Sequence, residues 1–575
     1  MNGGARIARV LHDRGVREIF TLCGGHISPI LVEAKRIGIR ITDVRDEATA
    51  VFAADAHARL TGIPGVAAVT AGPGLTNTIT PLKNAQLAQS PVLVLGGATA
   101  TALKNRGALQ DIDQMPLMKP HVKYARAVKR LRDLAPAVVE ALEAADTGVP
   151  GPVFVECPVD LLYDEDIIRG WYADSMPRGD SLADKAVRFY LERHMKRLFA
   201  GGRKMPKPAS ESPAVLPRPQ SIRDIARQLA TARRPVMVCG SQAVARAADA
   251  DLLRDAIIKL GIPVYLSGMS RGLLGAEHPL LFRHRRRDAI KGADLVILAG
   301  VPCDFRLDYG KQIRRSARLV SFNLSRRELR LNRKPDDGLL ADPGLCVRDL
   351  ADAMRESPPD RSEWLEELGA RDAAREADID ARAAVSGAGV NPLRLCREID
   401  KFLPDDSVLV ADGGDFVGTA SYVVRPRGPL RWLDPGAFGT LGVGGGFAIG
   451  AARARPSAQI WILYGDGSLG YSLIEFDSYV RHGLAPIAII GNDACWAQIA
   501  REQVKMLGDD VGVRLARTDY HRAAEGLGAA GLVITSDDEI ASTLAKAREL
   551  SAAGTPVLVN VHLAETDFRE GSLSI

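Results

Sequence analysis

The sequence predicts an α/β protein built of three doubly wound, parallel-sheet domains. Two observations predict this class. Short apolar runs recur along the chain with helix-length segments between them, the mark of buried strands alternating with helices. That alternation comes in three blocks, and strand–helix–strand repeats build parallel sheets. A chain of 575 residues has room for about three or four domains.

The first block covers 1–165. A helix opens at Arg45-Asp46-Glu47, runs through Arg59 and stops near Gly62. A strand over 66–70 follows, then the turn Gly72-Pro73-Gly74 with Thr76-Asn77 behind it, and the block closes on a strand over 152–156. Residues 166–219 break the pattern with a basic amphipathic helix over 185–199 and a Pro/Lys/Ser linker. Such a helix is expected to pack on its own domains rather than on a membrane surface or a partner. The second block, 220–356, carries strands over 235–241, 263–266, 294–300 and 318–323. A charged linker over 357–387 leads to the third block, 388–575, with strands over 407–410, 460–464 and 487–491.

Composition narrows the function classes. With 46% hydrophobic and 25% charged residues the chain is ordinary globular material. A net charge of +5 is small for this length, and the basic clusters (Arg283 to Arg287, Arg326-Arg327) lack interleaved aromatics, so no nucleic-acid partner is expected. Seven scattered cysteines without a CxxC pair fit a reduced cytoplasm and speak against structural zinc. No signal-like N-terminal run and no 18-residue apolar window is present, so no membrane partner is expected. The terminal Leu573-Ser574-Ile575 is not a peroxisomal address.

Chemistry concentrates in the third block. Gly465-Asp466-Gly467-Ser468 follows one apolar run, and Asn492, 26 residues after Asp466, follows the next. Both would stand beyond the carboxyl ends of neighbouring strands, where open α/β sheets bind ligands. One carboxylate and one amide oxygen suit Mg²⁺, which completes its octahedron with phosphate and water. Gly467 lets backbone approach a phosphate, and the Ser468 N–H and hydroxyl can donate to it at a helix start. The bland reading of this tetrapeptide is turn chemistry; that of Glu47 is a helix N-terminal charge stabilised by the macrodipole. The glycines from Gly436 to Gly446 do not fit a dinucleotide fingerprint, because the spacing fails and no ribose-binding acid follows.

The Gly-Asp-Gly-Ser segment with Asn492 resembles the thiamine-diphosphate motif, and the order of the three blocks is similar to the acetolactate synthase family over nearly the whole chain. The resemblance implies a pyrimidine-binding domain, a middle domain and a diphosphate-binding domain. It implies that Glu47, inside the pattern Arg45-x-Glu47-x-x-Ala50, exchanges a proton with N1′ of the cofactor, which calls for a buried carboxyl group. Gly414, Asp415 and Phe416 match the first diphosphate loop. Gly439 would accept from the 4′-amino group, and Leu441 takes the wedge position beneath the bent cofactor. Asp466, Asn492 and the carbonyl of Ala494, where the family often has glycine, would hold Mg²⁺. Trp496 falls where related lyases place an aromatic facing the substrate.

Two segments, 23–29 and 106–114, together with the helix near 189–192, look like the branch that acts as 2-hydroxyacyl-CoA lyase. Such enzymes cleave a 2-hydroxyacyl-CoA to formyl-CoA and an aldehyde or ketone, or run the reverse condensation. In that reading His26 takes the hydroxyl proton and Gln110 holds a substrate oxygen. The alternatives are acetolactate synthase, which needs flavin, oxalyl-CoA decarboxylase, and a non-catalytic member of the fold. The middle domain is a candidate for a nucleotide such as ADP, or for CoA. A homodimer or homotetramer with active sites shared between chains is implied.

Overall fold

A computed structural model describes residues 1–201, 205–355 and 359–571. The C-terminal Leu573-Ser574-Ile575 and parts of the two expected linkers lie outside them. The chain forms two compact units, residues 1–59 with 63–213, and residues 60–62 with 214–575.

The first unit holds β1 (Glu18–Thr21), β2 (Arg40–Asp43), β3 (Gly65–Val69), β4 (Val92–Ala98), β5 (Tyr124–Ala127) and β6 (Val153–Pro158), in the order β2-β1-β3-β4-β6-β5 with every pairing parallel. β1, β3, β4 and β6 are buried along their whole length, whereas the outer β2 and β5 are only partly so. Central strands covered on both faces must be apolar throughout, which is why they stand out in sequence. Two helices, Glu165–Asp174 and Leu182–Phe199, occupy the stretch where one was expected. Leu198 and Met195 of the second join the core of this unit, so the helix packs on its own domain.

The second unit contains two more sheets. One runs β11-β10-β9-β7-β8, from β7 (Pro235–Cys239), β8 (Val264–Leu266), β9 (Leu295–Ala299), β10 (Arg318–Asn323) and β11 (Asp337–Leu340). The other runs β13-β12-β14-β15-β17-β16, from β12 (Val408–Asp412), β13 (Trp432–Leu433), β14 (Ile460–Gly465), β15 (Ile487–Asn492), β16 (Ala530–Ile534) and β17 (Val557–His562). All pairings are parallel here too. The expected class, three doubly wound parallel sheets, is what the chain adopts. In each sheet the first strand sends the second to one side and the third to the other. The chain therefore reverses between β1 and β3, between β7 and β9, and between β12 and β14, and each reversal opens a crevice at the strands' carboxyl ends.

The charged stretch expected as a linker is instead a 22-residue helix, Ser362–Ala383. Its start places Trp364 and Leu368 in the core beside the middle sheet. Its end places Ile379 and Ala383 in the core of the third sheet. Asp372 accepts the backbone N–H groups of Arg283 and His284 at 2.9 and 3.0 Å, and Arg361 donates to the Leu229 carbonyl at 2.6 Å. Four apolar contacts in 22 residues are enough to seat a helix whose other faces are charged.

Candidate active site

In the third sheet, register pairs Gly465 of β14 with Gly491 of β15. Asp466, the first residue of the helix Asp466–Leu469, and Asn492, the last residue of β15, therefore each come next after this pair. Both side chains are buried. Asp466 Oδ1 accepts the Gly467 N–H at 2.8 Å, while Asn492 Nδ2 donates to Asn560 Oδ1 at 3.1 Å and to the Thr518 carbonyl at 3.3 Å. The atoms left over are Asp466 Oδ2 and Asn492 Oδ1, buried and without a hydrogen-bond partner. Two buried oxygens orphaned on residues that follow a paired position of neighbouring strands are what a hard cation would take.

The electrostatics agree. Burial pushes the Asp466 carboxyl up to about 6 against the N–H groups of Gly467, Ala494 and Cys495. Burial, then the Asp466 charge, pushes Asp493 up to about 7. Bound Mg²⁺ would favour the ionised forms of both. Among the described residues no cluster of three or more His, Cys, Asp or Glu side chains forms a closed cage, so a metal here would depend on the ligand's own phosphate oxygens. Ala494 stands in the left-handed region at φ +55°. That explains a preference for glycine at this position and costs an alanine about 1 kcal/mol. Its carbonyl already accepts the Leu515 N–H at 2.8 Å, and its second lone pair is the one a metal would use.

The Ser468 hydroxyl is turned inward. It donates to the carbonyls of Asp412 and of Gly465, so of this residue only the N–H, in the first turn of the helix, could serve a phosphate. A Cβ on Gly467 would stand 2.5 Å from the Trp496 ring, so Trp496 lies directly against the phosphate turn. Gly413 has φ +58°, and a Cβ there would meet Leu441 Cδ2 at 2.1 Å. Leu441 thus rests on the end of β12, with Gly439 and Gly442 both in positive φ beside it. Gly414 begins the helix Gly414–Val423. Asp415 is ion-paired with Arg501 and lies 4.0 Å from Arg569. The Phe416 ring is core, packed against Gly491. Of these two residues only the backbone N–H groups could serve a diphosphate.

In the first unit Glu47 is buried as the first residue of the helix Glu47–Thr61 and accepts from Asn77 Nδ2 at 3.0 Å. His26 Nδ1 and Thr70 Oγ1 are 3.2 Å apart across the β1–β3 crevice, and burial lowers the His26 pKa, which keeps a neutral, proton-accepting imidazole. Gln110, at φ +62°, lies over Gly72, where a Cβ would approach its own Cβ at 3.0 Å. Gln114, buried beneath it, accepts the Gly72 N–H at 3.3 Å and donates to the Gly97 carbonyl at 3.1 Å.

Comparison with protein-family models decides the family. Residues 1–117 match the thiamine pyrophosphate enzyme N-terminal TPP binding domain, 222–350 the central domain, and 412–561 the C-terminal TPP binding domain. The chain belongs to the thiamine pyrophosphate enzyme family. It is 50% identical over 583 residues to a 2-hydroxyacyl-CoA lyase 2 of Bos taurus, covering 100% of this chain and 92% of that protein. It is 49% identical over 585 residues to the Homo sapiens 2-hydroxyacyl-CoA lyase 2, with 100% and 92% covered. A probable acetolactate synthase of Mycobacterium bovis is 33% identical over 567 residues, with 98% and 95% covered. For a thiamine pyrophosphate enzyme the orphaned oxygens and the backbone N–H groups of Gly414 and Ser468 suit a diphosphate on a divalent cation, while the Gly467 N–H is held by Asp466.

Three features of the site were not legible in the sequence: Asp412, Asn560 and an arginine-lined cavity. The cavity, of about 380 Å³, is bordered by Arg271, Arg283, Arg285, Arg286, Arg287 and Arg425, with Tyr422 of the Gly414–Val423 helix. Burial lowers the guanidinium pKa of Arg271 and Arg286, and that of Arg283 to about 10. The charge was visible in the sequence; that it converges on a cavity was not. Among the described residues no helix is long and apolar enough to cross a membrane.

Proposed function

We propose that the protein is a thiamine-diphosphate- and Mg²⁺-dependent lyase that cleaves a 2-hydroxyacyl-CoA to formyl-CoA and an aldehyde or ketone, and condenses them in reverse. The observation that carries the reading is the pair of orphaned oxygens on Asp466 and Asn492 in a thiamine pyrophosphate enzyme whose relatives at about half identity are named for this activity.

Asp466, Asn492 and the Ala494 carbonyl would hold the metal, with Gly414 and Ser468 donating backbone N–H groups to the diphosphate and Gly467 letting the backbone come close to it. Leu441 and Gly439 would line the ring, and Trp496 would border the substrate. When bound, thiamine diphosphate supplies the electron sink for the pair left by carbon–carbon cleavage. Glu47 exchanges a proton with N1′ of the pyrimidine. His26 takes the proton of the 2-hydroxyl as the C1–C2 bond breaks, the carbonyl product leaves, and the same proton can return to release formyl-CoA. Gln110 holds a substrate oxygen. Each general acid or base of this kind contributes about 10²–10⁴-fold.

The arginine cavity supports the CoA half of the substrate. Guanidinium groups around one cavity suit phosphate oxygens, although Arg425 is already paired with Asp400 and Glu277 and Arg283 with Glu376. The ten-residue helix Gly414–Val423 spans about 15 Å from the cavity end to the diphosphate end, a gap that an extended pantetheine arm bridges. An ADP would use the same charges. Glu47 and Asp466 lie in different units, so we read the working enzyme as a homodimer or homotetramer with shared sites, acting in the cytoplasm.

The test is incubation of the protein with thiamine diphosphate, Mg²⁺, formyl-CoA and a panel of aldehydes and ketones, read by mass spectrometry for 2-hydroxyacyl-CoA. Product formation that vanishes in Asp466→Ala supports the reading. Acetolactate from pyruvate by a yellow, flavin-bearing protein would favour the synthase, and carbon dioxide from oxalyl-CoA the decarboxylase. No turnover in any of the three would leave a non-catalytic member of the fold.

A further inference from the structure

Asp412 closes β12, and its side chain is fully buried. One carboxylate oxygen accepts the Gly442 N–H at 3.0 Å and the other the Gly444 N–H at 2.7 Å. These amides stand at the start of the helix Val443–Ala454, with Gly442 at its N-cap. A helix start leaves its first N–H groups without partners, and a side-chain oxygen of the N-cap residue ordinarily takes one of them. Gly442 has no side chain to do so, and its φ of +86° disfavours any other residue. The acceptor is therefore brought in from a different strand, 30 residues earlier.

The consequence falls on Leu441, the residue immediately before the amides that Asp412 grips. Leu441 Cδ2 occupies the space that a Cβ on Gly413 would fill, so Gly413 makes room for this side chain while Asp412 fixes the backbone that follows it. The Asp412 carbonyl also accepts the Ser468 hydroxyl. One residue thus ties together the end of β12, the Leu441 loop and the phosphate turn. Two-point contact fixes an orientation as well as a position, because rotating the carboxylate breaks one of the two bonds.

We propose that Asp412 is the positioning residue that holds Leu441 in place beneath the cofactor ring, acting through the Gly442 and Gly444 amides. The inference rests on the reading that thiamine diphosphate lies against Leu441. In Asp412→Asn one acceptor is replaced by an amino group that faces a backbone N–H, so one of the two bonds is lost and the loop before it is free to shift. A purely structural cap would lower thermal stability without changing how the bound cofactor behaves.

The experiment measures C2 hydrogen–deuterium exchange of bound thiamine diphosphate by acid quench and NMR, with Mg²⁺ present. The proteins are wild type, Asp412→Asn, Leu441→Ala and the double variant, and cofactor affinity is titrated separately by intrinsic fluorescence. The expected result is exchange slowed about 10–100-fold in each single variant, with affinity changed far less. The double variant should match the slower single variant within about twofold, because both changes remove the same contact. Additive slowing, or wild-type exchange in Asp412→Asn, overturns the proposal. Absence of bound cofactor in the wild type would instead overturn the reading on which it rests. Should Asp412→Asn not fold, amide exchange on the wild-type protein decides: Gly442 and Gly444 must be protected, and rapid exchange at both rejects the grip.

Discussion

Asn560 Oδ1 accepts a hydrogen bond from Asn492 Nδ2 at 3.1 Å, and this bond decides which end of the Asn492 amide is left for a cation. Asn560 is itself held, with its amide nitrogen donating to the Thr518 carbonyl at 3.0 Å. An amide can present either end. Here the nitrogen is committed to the sheet and the oxygen is released toward Asp466.

The first prediction follows from that arrangement. Asn560→Leu keeps the bulk but removes the acceptor, so the Asn492 amide loses its fixed orientation. Partners of metal ligands typically matter by about 10–100-fold. The Mg²⁺ concentration for half-maximal cofactor binding should rise by that factor, read by fluorescence titration. An unchanged Mg²⁺ requirement would mean that Asn492 is not a ligand, or is oriented by something else.

The second concerns Glu47. Glu47→Gln retains the shape and the contact to Asn77 but cannot exchange a proton with N1′. Turnover should fall about 10²–10⁴-fold, while cofactor affinity changes little, since the groups proposed for the diphosphate and the metal belong to the other unit. Cofactor C2 exchange as fast as in the wild type would move the acid to another residue.

The third concerns assembly. If the cofactor joins Glu47 of one chain to Asp466 of another, cofactor binding and association are linked, and each strengthens the other. Sedimentation at dilute protein should show more dimer or tetramer with thiamine diphosphate and Mg²⁺ than without. A monomer that retains full specific activity at the same concentration rejects the shared site.

The fourth is a pH dependence. Burial acts to raise the Glu376 carboxyl, but hydrogen bonds from His284 and Arg397 and the charge of Arg283 outweigh it and hold the group at about 2. A carboxyl depressed in the folded state stabilises fully above its ordinary value of 4.5 and loses that contribution as pH falls toward 2. Thermal midpoints should therefore drop between pH 5 and pH 3, and Glu376→Gln should flatten that slope. Parallel slopes for the two proteins would show that the depressed carboxyl is elsewhere.

The fold was largely legible because its central strands are covered on both faces. β12, β14 and β15 are buried throughout and read as plain apolar runs. β11 mixes exposed and buried positions and β13 is two residues long, so neither leaves a periodic signal. Asp466 and Asn492 were legible because each follows its own strand. Asp412 and Asn560 were not, because their partners lie 30 and 68 residues away in sequence, and only the sheet order makes them neighbours. The side chains of Asp415 and Phe416 are the reverse case. They sit in the first turn of the helix Gly414–Val423, in a segment that reads as ligand-facing, yet one serves an ion pair and the other the core.

The helix Ser362–Ala383 has its first turns in one hydrophobic core and its last turns in another. A protease finds no soft joint within this helix, because cutting there means first prising Trp364 or Ile379 out of an apolar bed. The cores of the middle and third sheets should accordingly melt together, and a fragment that carries the third sheet with this helix brings along an apolar helix face that has lost its mate.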